Sequence, residues 1–167
     1  SFELRVRGTG PGLLLYPMSA KVQKTLQDRE AGGLQKKKTA RNPQAEFEEV
    51  LGFCKLSPPR KGAIYGIPGR KFKKAVAQAA YRFYGEQMKK IYGILWINPE
   101  EPDGLIPIEG EEPVLDSRPA KPPKGGANVA HRPLITKWEV TLLVVYDPDF
   151  ISPQKITNLL ARAGQSI

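Results

Sequence analysis

The chain has 167 residues, 26 of them Lys or Arg and 17 Asp or Glu, for a formal net charge of +9. Its 40% hydrophobic content suffices for one domain with a core, and its lone cysteine, Cys54, excludes an intrachain disulfide framework. Apolar runs stop at four or five residues, far short of the roughly 20 that a membrane span needs.

In chain order, Phe2-Glu3-Leu4-Arg5-Val6-Arg7 alternates strictly, which predicts a half-buried strand and no secretory signal. The run from Gly8 to Gly12 ends it, and Leu13-Leu14-Leu15-Tyr16 reads as a short buried segment. The glycine run lacks the later Gly-Lys-Ser/Thr of a phosphate-cradling P-loop, so it is read as a turn. Residues 19–43 carry few apolar side chains and include Lys36, Lys37, Lys38 and Arg41, the composition of a flexible basic arm. Asn42-Pro43 is a helix start, with Phe47, Val50 and Leu51 on the inner stripe.

Ala63 to Ile67 predicts a strand running into Pro68-Gly69. A long helix is expected from about Arg70 to Ile91, with Phe72, Val76, Ala79, Ala80 and Phe83 on its buried face. Its first turns carry Arg70, Lys71, Lys73 and Lys74, the wrong sign for the helix macrodipole, so they are expected to serve an outside ligand such as phosphate. Gly93 to Ile97 and Leu105 to Ile108 read as strands, followed by a Pro/Gly/Lys loop at about 117–127 containing Arg118, Lys121 and Lys124. Trp138 to Tyr146 is the strongest strand, with Val140, Leu142 and Val144 on one face. Ser152 caps a last helix with Pro153 at its first position, Ile156, Leu159, Leu160 and Ala163 buried, and Gly164 at its end. The order predicts an α+β fold: an antiparallel or mixed sheet backed by two main helices, with a ferredoxin-like core.

Catalytic chemistry finds little footing. One histidine, His131, and one cysteine cannot supply a Cys/His metal cage or dyad, and no metal or cofactor is expected. Glu48-Glu49 and Glu111-Glu112 are sequence neighbours whose carboxylates diverge, so paired-carboxylate chemistry is poorly supported. A nuclease reading lacks identifiable metal carboxylates.

The charge is informative. Residues 1–90 hold 19 basic and 7 acidic groups, a balance of +12, whereas residues 91–167 hold 7 and 10, a balance of −3. Such a field attracts a polyanion. The candidate phosphate contacts are Lys36, Lys37, Lys38, Arg41, Arg70, Lys71, Lys73, Lys74, Arg118, Lys121, Lys124, His131 and Arg132. Tyr65, Tyr81, Tyr84, Tyr92 and Trp138 are expected to pack in or beside the core rather than to stack on bases. The expectation is a non-enzymatic, largely sequence-independent nucleic-acid binder, single-stranded in preference, oligomerising along its ligand. Six to ten phosphate contacts would lose roughly 10³–10⁵ in affinity between 50 and 200 mM salt. The rival is an assembly component that self-associates or docks on an acidic partner.

The stretches Phe2 to Leu14, Ile64-Tyr65-Gly66-Ile67-Pro68, Asp116-Ser117-Arg118-Pro119, Arg132-Pro133 with Trp138, and Ala163 to Ile167 resemble a group of uncharacterised tailed-phage and prophage proteins. Those proteins in turn look distantly like the repeat-associated mysterious protein superfamily, the RNA-binding, ferredoxin-like subunits of CRISPR effector complexes. The resemblance implies a ferredoxin-like core and a nucleic-acid ligand, and the rival reading is a phage assembly or host-takeover component. The lone Cys54 fits a cytoplasmic location, that of the bacterial host if the chain is phage-encoded. It transfers no residue of that superfamily's glycine-rich loop to this chain.

Overall fold

A computed structural model describes residues 1–10, 12–15, 42–99, 104–120 and 128–165. Lys36, Lys37, Lys38 and Arg41 of the expected arm, and Lys121 and Lys124 of the expected loop, lie outside them. The elements in order are β1 (Phe2–Arg7), β2 (Leu13–Leu14), α1 (Pro43–Cys54), β3 (Lys55–Arg60), β4 (Ala63–Pro68), α2 (Gly69–Tyr84) and α3 (Met88–Ile94). There follow β5 (Leu95–Ile97), β6 (Leu105–Pro107), β7 (Val114–Ala120), β8 (Asn128–Ile135), β9 (Glu139–Tyr146) and α4 (Pro153–Gln165). The fold is mixed α+β, with four helices and three small antiparallel sheets among the described residues.

The first sheet has the order β1-β9-β5, with Leu4 opposite Leu142 and Trp96 opposite Val145. Alternation sends Val140, Leu142 and Val144 of the central strand into the core, where they pack with Val76, Ala80, Leu95, Ile156 and Leu159. Helices α2 and α4 pack on each other, and α2 also packs on β5. The second sheet, β2-β8-β7, and the third, β3-β4-β6, flank α1, which packs on β8 and β4. Strands thus distribute over three sheets rather than one.

Local chemistry sets several boundaries. The Asn42 side chain accepts from the N–H groups of Gln44 (3.0 Å) and Ala45 (3.3 Å), with Pro43 opening α1. Ser152 Oγ accepts from Lys155 N at 3.2 Å and starts α4. Three expectations are corrected. The long helix stops at Tyr84 because Gly85 takes the left-handed conformation (φ 67°) and donates to the Tyr81 carbonyl. The chain then restarts as α3, which absorbs Gly93 and Ile94 from the expected strand. Gly164 lies within α4 and does not end it.

Candidate nucleic-acid interface

Helix α2 opens without the usual anion. Pro68 stands at its N-cap and offers no side-chain hydrogen bond, no acidic residue lies in the first turn, and Arg70 and Lys71 occupy it instead. The positive end of the macrodipole therefore meets positive side chains. Strand β8 brings Arg132 to the same place. Burial, and then the charges of Arg70, Lys74 and Arg132, push the Lys71 ammonium below its ordinary range. Cys54, at the buried end of α1, adjoins this cluster; burial pushes its thiol up to about 11, with Lys71 pulling the other way.

Arg70, Lys71 and Lys74 of α2 and Arg132 of β8, 58 to 62 positions further along the sequence, thus form one cationic patch. Lys73 does not join it. It turns to the other side of α2, over the rings of Tyr92 (5.7 Å) and Trp96 (5.5 Å), and burial lowers its pKa. Arg118 forms an ion pair with Asp116 at 2.7 Å, so part of its charge is met within the chain, and Asp116 also stands opposite Arg132 in the β7–β8 register. His131 shares a 2.8 Å hydrogen bond with Ser117 and, by strand alternation, faces the other side of the sheet from Arg132.

The cationic row continues along α2. Arg70, Lys74, Gln78 and Arg82 recur every four residues on its exposed side, with Tyr81 beside them. Tyr81 is 64% exposed, Tyr84 47% and Phe83 41%, which corrects the expectation that Phe83 is buried and that these tyrosines pack in or beside the core. The physical reason is the break at Gly85: α3 starts late, so it leaves the last turn of α2 uncovered. Tyr92 (37%) is likewise exposed. Tyr65 and Trp138 are half-buried, in line with packing. Arg162 of α4 lies over Phe83 (5.1 Å) and Tyr84 (5.6 Å), and Lys155 lies over Tyr84 (5.5 Å).

Sequence reasoning passed over Arg82 and Arg162 because each is a single charge in its turn. The signal was present as the four-residue spacing of Arg70, Lys74 and Arg82, with Gln78 between them. Among the described residues, no three His, Cys, Asp or Glu side chains gather as a metal site, and no helix is long and apolar enough to cross a membrane. Comparison of the chain with protein-family models, with curated proteins and with solved structures yields no match.

Proposed function

We propose that this chain is a non-enzymatic nucleic-acid-binding protein that holds the phosphate backbone largely without regard to sequence. One observation carries the reading: Arg70, Lys71 and Lys74 of α2 and Arg132 of β8 are close enough for their charges to act on one another, and the first two stand at the positive end of the helix dipole. Phosphates on this surface would meet both the side-chain cations and the helix start. A ferredoxin-like core belongs to the same proposal. The order β1-β9-β5, all antiparallel, with α2 between β1 and β5 and α4 after β9, follows the split βαβ pattern and supports it.

The test is fluorescence anisotropy with labelled single- and double-stranded oligonucleotides at 50 and 200 mM salt. Four phosphate contacts give an affinity loss of about 50-fold for a single strand and about 150-fold for a duplex over that range. Absence of binding at 50 mM salt, or binding indifferent to salt, refutes the proposal.

A second reading draws on the β7–β8 ribbon, where Val114 (52%), Leu115 and Val129 expose apolar surface. These residues fit an assembly component that meets a second copy or a protein partner. Its signature is concentration-dependent oligomers on a sizing column with no oligonucleotide binding.

A further inference from the structure

We infer that the ligand is an unpaired strand, whose bases enter the groove at the C-terminal end of α2 while its phosphates follow the cationic row toward Arg70. This rests on the nucleic-acid reading above and names which form of nucleic acid the surface takes. The groove has a volume of about 780 Å³ and runs between α2, the start of α3 and the end of α4. Gln78, Tyr81, Arg82, Phe83 and Met88 line it. Its size falls in the range, roughly 300–1,000 Å³, of pockets that hold small organic groups.

The occupant follows from charge and from ring chemistry together. Helix α2 contains five cations (Arg70, Lys71, Lys73, Lys74 and Arg82) and α4 two (Lys155 and Arg162), and neither contains an Asp or Glu. The nearby Glu86 is taken up by Lys155 (3.2 Å) and Lys90 (3.6 Å). The groove is apolar and aromatic, with Arg82 in its lining and Arg162 over its Phe83 ring, the complement of a flat base on a charged backbone. From Lys71 to Tyr81 is ten residues, about 15 Å along the helix, which a few nucleotides span. A duplex satisfies the cations equally well but keeps its base faces stacked inside. Only an unpaired strand uses both the row and the rings.

The experiment compares an oligo-dT strand with a duplex of equal length by anisotropy at 50 mM salt. Tyr81→Ala, at a largely exposed position, should weaken the single strand about tenfold and leave the duplex unchanged. Tyr81→Phe, which keeps the ring, should bind both as the wild type does. Lys74→Glu should weaken both ligands. If Tyr81→Ala leaves the single strand unaffected, or lowers both ligands alike, the groove serves something else, such as a protein segment, and this inference fails while the nucleic-acid reading stands. If the wild type binds neither oligonucleotide, both fail. Circular dichroism of each variant checks that the fold is retained.

Discussion

Replacing Arg70 with Glu should make the protein more stable and a worse binder at once. Arg70 lies in the first turn of α2, which has no acidic residue and no capping side chain, and its charge acts on Lys71. A cation at a helix N-terminus is unfavourable by about 0.3–1 kcal/mol, and an anion there is favourable by a similar amount. The reversal therefore swings the term twice, and Arg70 is exposed enough that screening holds the sum near 1 kcal/mol. For a protein of this length that corresponds to a rise in Tm of roughly 2–4 °C. Thermal denaturation followed by circular dichroism, at 50 mM and at 1 M salt, measures it, and the gain should shrink at high salt, where the screening length falls to about 3 Å. The same variant should lose about tenfold in oligonucleotide affinity and bind with a shallower salt dependence. A variant that is less stable than the wild type, or a gain untouched by salt, would refute the idea that this helix start is electrostatically strained.

Two further expectations concern packing and protonation. In Gly8→Ala the new Cβ would sit inside the Trp138 indole, 2.6 Å from Cε2 and 2.8 Å from Cδ1, so the ring must move. A loss of about 1–3 kcal/mol with a shifted tryptophan fluorescence spectrum is expected, and unchanged stability contradicts it. Burial of Cys54 raises its thiol from 9.0 to about 11, so its neutral form is favoured in the folded chain. Stability from this source is full below pH 9 and falls as pH rises from 9 to 11. At pH 7.5 iodoacetamide should alkylate the native protein on the order of 100-fold more slowly than the urea-unfolded chain, since thiolate is the nucleophile. Equal rates, read by mass spectrometry, would exclude the effect.

Much of the architecture is legible in local pattern. The alternation of Phe2 to Arg7 and of Val140 to Val144 is that of two paired strands, and they pair in the first sheet. Asn42-Pro43 and Ser152-Pro153 start helices because the cap side chain and the proline act within three residues of themselves. Strand β3, with Pro58 and Pro59 inside Lys55–Arg60, carries no alternating apolar face, and β7 and β8 hide under polar and proline-rich composition. These strands exist through their cross-strand partners, which no short window contains.

The candidate site divides along the same line. That the start of α2 is cationic, and at odds with its own dipole, is a property of consecutive residues and needs no coordinates. Which cations act together is decided in three dimensions. Arg132 joins Lys71 because β8 packs against α1 beside the start of α2, whereas Lys73, two residues along, is carried to Tyr92 and Trp96 by the turn of the helix. Periodicity likewise assigns Phe83 to the buried face, but a face is buried only where something covers it. The break at Gly85 leaves that last turn open, so exposure, and with it the groove, belongs to the tertiary structure.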